Sequence, residues 1–204
     1  MAGTPTITIE PGYRPGFLAR CLEMHIAFYH PSVHWGLAFE TSLAKDFAEI
    51  IERLATNPRN QVWAAVETPP ASTSPGVFTQ RIVGTLLIDA ESMKTTGTAQ
   101  IRGFIVDERV RGLGIGKRLL AAAMEFIESN GFDRAALYTS DTQDTAVYLY
   151  KKAGFVVELD EEKIVWEKPL RVLQLTWKRE QTADQETNGV AEGKTANLGC
   201  MVTE

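Results

Sequence analysis

Cysteine is nearly absent from this chain. The two present, Cys21 and Cys200, lie far apart, which argues against a disulfide or a metal site and fits a reducing compartment. Long apolar runs are missing too, and none approaches the ~20 residues a bilayer-spanning helix needs. The opening Met-Ala-Gly-Thr-Pro-Thr has neither the basic nor the apolar region of a signal peptide. An excess of positive charge is also lacking. With 21 Lys and Arg against 26 Asp and Glu the net charge is −5, which argues against nonspecific nucleic-acid or membrane binding. There is no internal repeat. These absences lead to the expectation of a cytoplasmic protein with no metal, no nucleic-acid partner and no membrane partner.

What is present suits one globular domain. Apolar residues make up 44% of the 204 and charged residues 23%. Thr6 to Glu10 reads as a strand. A helix introduced by Pro15-Gly16 carries Leu18, Cys21, Leu22, His25, Phe28 and Tyr29 on one face and is expected to stop at Pro31. A loop to Gly36 and a helix over Phe39 to Leu54 follow, then a strand over Gln61 to Glu67. Pro69 to Thr79 reads as a mobile loop. Arg81 to Asp89 and Ala99 to Val106 should pair antiparallel. A helix ending near Gly131, a buried strand Ala135 to Thr139 and a short helix of about Thr142 to Ala153 come next. Strands Phe155 to Glu158 and Arg171 to Trp177 close the pattern. The fold class expected is α/β (α+β), a mixed, mostly antiparallel sheet flanked by helices over residues 1–178. Residues 179–204 are too polar to offset their ordering entropy and read as a disordered tail.

One stretch organises the rest. Arg109 to Leu120 follows an apolar strand and opens a helix, with Gly112, Gly114 and Gly116 in the turn. Free backbone N–H groups and the helix dipole make such a turn a phosphate site. Arg109, Arg111, Lys117 and Arg118 add positive charge. Spacing then separates the candidates. A P-loop would need glycine where Arg111 stands and a hydroxyl where Arg118 stands; the dinucleotide fingerprint would need glycine at Lys117. What remains is Arg-x-x-Gly-x-Gly, met by Arg111, Gly114 and Gly116.

That loop resembles the pyrophosphate loop of the GNAT family of N-acetyltransferases. Further on, Ala146-Val147-Tyr148-Leu149-Tyr150-Lys151-Lys152-Ala153-Gly154-Phe155 resembles the same family's A-x-x-L-Y-x-x-x-G-F signature, in the expected order and spacing. The resemblance implies a single acetyltransferase domain with acetyl-CoA or CoA as cofactor. It implies that Arg111, Gly112, Leu113, Gly114, Ile115, Gly116 and Lys117, with the N–H of Val110, hold the pyrophosphate. Phe104, Ile105 and Val106 would pair with the pantetheine arm, and Gln143 and Ala146 would flank it. Gln143 stands where the family often has Asn. The Val106 N–H is the expected polariser of the thioester carbonyl, and Tyr150 the expected acid for the leaving thiolate. A packing role for Tyr150 is compatible with that one.

The amine must also lose its proton. A lysine-like amine is almost wholly protonated at neutral pH, whereas an α-amino group of pKa ~8 is neutral for roughly a tenth of the time. Histone-acetylating relatives carry a glutamate six residues before the strand valine, and this chain has Gln100. His25, Asp89 and Glu91 are alternative bases, and a water relay is another. Arg102, expected on the strand face of Phe104 and Val106, would meet a substrate carboxylate or pair with an acidic neighbour. Tyr29 and Trp35 would line the acceptor side or belong to the core.

A closer resemblance is to the acetyltransferase half of bacterial winged-helix/GNAT fusion regulators. It rests on Tyr13-Arg14-Pro15-Gly16, the His25, Tyr29, Trp35 spacing, Phe39-Glu40, Ala99 to Arg102 and Thr176-Trp177. The DNA-binding half is expected to be missing, so transcriptional function is not carried over. The reaction expected is acetyl transfer from acetyl-CoA to the primary amine of a small molecule: an amino acid, a dipeptide or a xenobiotic amine. Protein N-acetylation and noncatalytic acyl-CoA sensing are the rivals, and a homodimer is compatible with the family.

Overall fold

The computed structural model describes residues 5–69 and 80–180. The loop expected over Pro69 to Thr79 and the tail expected from residue 179 fall almost wholly outside them. Among the described residues seven strands and four α-helices follow one another as β1 Thr6–Pro11, α1 Phe17–Val33, α2 Leu37–Arg53, β2 Gln61–Thr68, β3 Arg81–Asp89, β4 Thr98–Val106, α3 Ile115–Ser129, β5 Arg134–Ser140, α4 Asp144–Lys152, β6 Val156–Val165 and β7 Lys168–Lys178. The strands form one sheet in the order β1-β2-β3-β4-β5-β7-β6. Every pairing is antiparallel except β4 with β5. The expected mixed, mostly antiparallel sheet is what the chain forms.

Helical spacing of apolar residues decides which face each helix buries. Leu119, Leu120, Ala123 and Ile127 of α3 and Ala146 and Tyr150 of α4 pack on one side of the sheet. Phe17, Cys21, Met24 and Tyr29 of α1 and Phe39, Leu43, Phe47 and Ile50 of α2 pack on the other. Both α3 and α4 end in the same way. Gly131 and Gly154 take φ of 66° and 89°. Phe132 N–H then bonds the Ile127 carbonyl at 3.1 Å and Phe155 N–H the Tyr150 carbonyl at 3.0 Å, the longer bond of a Schellman cap. The Gly-Phe pair that ends the second motif is therefore a helix stop. Phe155 is buried and its ring lies 5.9 Å from that of Tyr150.

Three expectations about elements need correction. Helix α1 runs through Pro31 to Val33. Proline removes one hydrogen bond, but so close to the end the last turn is held by His34 N–H to the His30 carbonyl, 3.0 Å, and Ser32 Oγ to the Phe28 carbonyl, 3.2 Å. The last two strands are much longer than expected and form a hairpin whose turn, Trp166-Glu167, has φ of 45° and 67°. No Gly, Asn or Asp marks that turn. Packing of Trp166 against Trp35 (4.7 Å) and Phe39 (4.9 Å) offsets its backbone strain. Arg179, assigned to the tail, is tied to the domain by its N–H to the Asp133 carbonyl, 2.9 Å, and its guanidinium to the Glu128 carbonyl, 2.7 Å.

Candidate functional site

The sheet has a split at its centre. β4 pairs with β5 only from Thr98 to Gln100, against Arg134 to Ala136, after which β5 continues with β7 alone. Ile101 to Val106 therefore have one edge without a neighbouring strand. Asp107 N–H donates to the Val83 carbonyl at 2.8 Å. By the alternation of an antiparallel ladder, the N–H groups of Val106 and Phe104 point the other way, to the open edge.

A bulge interrupts β4 just before this. Thr85 faces Ile105 but Leu87 faces Arg102, so β4 carries one extra residue around Gly103. Gly103 has φ 54°, and a Cβ there would stand 2.1 Å from Leu87 Cδ1 and 3.3 Å from the Phe47 ring. Its carbonyl accepts from Thr85 Oγ1 at 2.8 Å. The extra residue also reverses which face each later side chain takes. Phe104 and Val106 join Ala99 and Ile101 against α3, while Arg102 stays on the α2 side. The expectation that Arg102 shares a face with Phe104 and Val106 is wrong for this reason. Arg102 is buried, with its guanidinium 2.8 Å from Asp46 and 4.0 Å from Asp89.

β4 hands over to the glycine turn through Asp107. Its carboxylate caps a one-turn 3-10 helix, Glu108–Val110, by accepting the Arg109 N–H at 3.0 Å, and it pairs with Arg20 of α1. Burial alone would raise this carboxyl's pKa. The Arg109 bonds and the neighbouring arginine charges outweigh it and hold the group below its ordinary value. Gly112 and Gly114 follow with φ of 79° and 73°, and a Cβ at either would touch nothing. Glycine is needed here for the backbone conformation alone. Arg118 N–H bonds the Gly114 carbonyl at 3.1 Å, which leaves the N–H groups of Ile115, Gly116 and Lys117 outside the helix ladder, and no side chain caps α3.

These N–H groups open onto a cleft of about 720 Å³. Val106, Arg111, Gly112, Gly114, Ile115, Gly116, Lys117, Gln143 and Ala146, all named above as cofactor candidates, line it. So do Val110 and Leu149 of the two motifs, and Phe28, Thr142, Asp144 and Thr145, which the motifs did not mark. The N-terminus of α4, whose N-cap Gln143 makes no side-chain capping bond, faces the same space. Two helix N-termini and Arg111 thus surround one cavity, a fit for the doubly charged pyrophosphate of CoA. Leu113 points outward, 64% exposed. Phe104 and Ile105 are buried side chains with backbone at the split. Tyr150 is buried beside Phe104, with the ring centroids 6.0 Å apart, behind the cleft lining rather than in it.

The residues expected at the acceptor lie on the other face of the sheet. Tyr29 and Trp35, each 2% exposed, belong to an aromatic cluster with Phe39 and Trp166 at centroid distances of 4.7 to 5.4 Å. His25 is fully buried. Its Nδ1 donates to the Cys21 carbonyl at 2.7 Å, leaving Nε2 as the acceptor, and burial pushes its pKa down to about 4. Asp89 is held by Arg53 and Arg102, and Glu91 by Asn57 and Asn60, so both stand in a structural network. Gln100 is 1% exposed at the last rung before the strands part. Among the described residues no group of three or more His, Cys, Asp and Glu could hold a metal, and no helix is long and apolar enough to cross a membrane.

Residues 33–155 match the Acetyltransferase (GNAT) family. The chain belongs to this family. Membership carries acetyl transfer as the reaction class and acetyl-CoA as the donor. This GNAT is similar over 56 residues, at 36% identity, to the mycothiol acetyltransferase of Acidimicrobium ferrooxidans; the match covers 28% of the chain and 18% of that relative. Its fold resembles that of a protein of Acinetobacter baylyi (TM-score 0.67, 12% identity, 92% of this chain and 100% of the other). It also resembles an acetyltransferase of Salmonella typhimurium solved with its cofactor acetyl-CoA (TM-score 0.62, 14% identity, 90% and 99%). A third is the ribosomal-protein-S18-alanine N-acetyltransferase of Escherichia coli (TM-score 0.59, 14% identity, 90% and 100%).

Proposed function

We propose that this GNAT moves an acetyl group from acetyl-CoA to the primary amine of a small molecule by direct attack of the amine on the thioester. The observation that carries the reading is the open edge of β4 running into a cleft ringed by two helix N-termini, with a tyrosine beside it. Bound acetyl-CoA supplies the activated acetyl group. The N–H groups of Ile115, Gly116 and Lys117 and the Arg111 guanidinium hold the pyrophosphate. The free N–H groups of β4 serve the rest of the donor. With the pyrophosphate at the glycine turn, the thioester lies further back along β4, so of the two open-edge N–H groups we assign the carbonyl to that of Phe104 in place of Val106, the residue expected from the motif. Val106 then holds the pantetheine arm. As the C–S bond breaks, Tyr150 gives its proton to the departing thiolate, and the proton that the attacking amine sheds passes to water, which returns the phenol to its neutral form.

The acceptor reaches the thioester through the split, from the α1–α2 side of the sheet. Two features favour a small acceptor. Gln100 cannot take a proton, so an amine partly neutral at pH 7, such as an α-amino group, suits the site better than a lysine side chain. The α1–α2 joint and the Trp166 hairpin also close over that face, leaving Trp35 2% exposed.

The test is thiol release from acetyl-CoA against a panel of amines, amino acids, dipeptides and a histone-tail peptide. Turnover with a small amine is expected, and Tyr150→Phe should lower kcat about a hundredfold with the KM for acetyl-CoA little changed. Turnover confined to the peptide would replace the acceptor reading. Tight CoA binding with no turnover on any acceptor would replace the enzyme reading.

A further inference from the structure

We infer that Phe28 of α1 is a positioning residue for the donor site, holding the Arg111 guanidinium by its face and leaving its edge for the pyrophosphate. The inference rests on the acetyl-CoA reading above. Arg111 Cζ lies 4.9 Å from the centre of the Phe28 ring. Arg111 is exposed and makes no ion pair among the described residues, whereas its neighbour Arg109 is bonded to Asp107 at 3.2 Å. Among the described residues the phenyl ring is thus the contact that holds the Arg111 side chain.

Phe28 sits where this matters. It lines the cofactor cleft and also a smaller cavity of about 210 Å³ beside it, and the two share Phe28, Val106 and Arg111. The ring is therefore part of the wall between them. Helix α1 cannot drift from this place. Arg20, two turns earlier, pairs with Asp107 and donates Nε to the Ile82 carbonyl at 2.8 Å, while Met24, His25 and Tyr29 are buried beneath. The helix is fastened to the glycine turn at both ends of one face.

The chemistry of guanidinium explains the benefit. Its five N–H bonds lie in one plane, so stacking on an aromatic ring uses the face and leaves the in-plane donors for phosphate oxygens. An arginine already held in that pose loses less freedom when the anion arrives. Phe28 touches neither the reacting atoms nor, through any polar group, the phosphates. Its role runs through Arg111.

The experiment compares acetyl-CoA affinity, its KM, and kcat for Phe28→Ala, Phe28→Leu, Phe28→Tyr, Arg111→Ala and the Phe28→Ala/Arg111→Ala double variant. Phe28→Ala should weaken acetyl-CoA about threefold with kcat retained. Phe28→Tyr should restore wild-type affinity, Phe28→Leu should not, and the double variant should bind no worse than Arg111→Ala alone. Wild-type affinity in Phe28→Leu, or a Phe28→Ala loss that persists in full without Arg111, would overturn the inference. So would a rise in the acceptor KM alone. Wild-type protein that bound no acetyl-CoA would instead sink the functional reading, so the two failures are distinct.

Discussion

His25 shows how one buried side chain ties acidity to stability. Burial holds its imidazole neutral down to about pH 4, against an ordinary 6.5, because the bond to the Cys21 carbonyl repays only part of the lost hydration of a cation. The unfolded chain takes up that proton as pH falls through 6.5, and the folded chain does so only near 4. Stability present above pH 6.5 is therefore lost as pH falls towards 4. The loss should be roughly 2 kcal/mol between pH 7 and pH 5. Urea midpoints at the two values would measure it, and His25→Gln should flatten the slope. At this scale the loop was legible in the sequence, since Gly112 and Gly114 are required by their own backbone angles and nothing distant decides them. Arg102 was not. Its face depends on a bulge set by partners in β3 and α2.

Among the elements, β4 carries the most consequence. Its bulge turns Phe104 and Val106 to the α3 side and depends on Gly103 having no side chain. Leu87 is fully buried and cannot swing aside. Gly103→Ala should therefore cost roughly 2–4 kcal/mol, from overpacking together with the left-handed backbone. Activity should fall further than the folded fraction does. Thermal unfolding and kcat measured on the same preparation would separate the two effects, and a variant as stable as wild type would refute the packing argument. Helices were legible from the spacing of Phe39, Leu43, Phe47 and Ile50 and its counterparts, because each buries one face. The β6–β7 hairpin was not, because Asp160 to Lys163 are all charged and show no apolar alternation, and the Trp166-Glu167 turn is held by aromatic residues distant in sequence.

The whole molecule is a sheet with an apolar layer on each face and a gap between its two halves. Hydrogen exchange should reveal that gap. The Val106 and Phe104 amides should exchange faster than those of Ile105 and Asp107, and acetyl-CoA should slow them selectively. Equal protection of all four in the unliganded protein would contradict the open edge. The order of elements was legible because local patterns fix it. The gap was not, since it depends on β5 leaving β4 after Gln100 to stay with β7.

That gap has a consequence for ligand design. An unpaired strand edge is a template that reads backbone rather than side chains, and anything with amide groups at strand spacing can copy its missing neighbour. Pantetheine has two such amides. Short extended peptidomimetics with an anionic end for the α3 turn would compete for the same edge. Because their grip would be on main-chain atoms of Phe104 and Val106, side-chain substitution at those positions would offer the protein little escape from them.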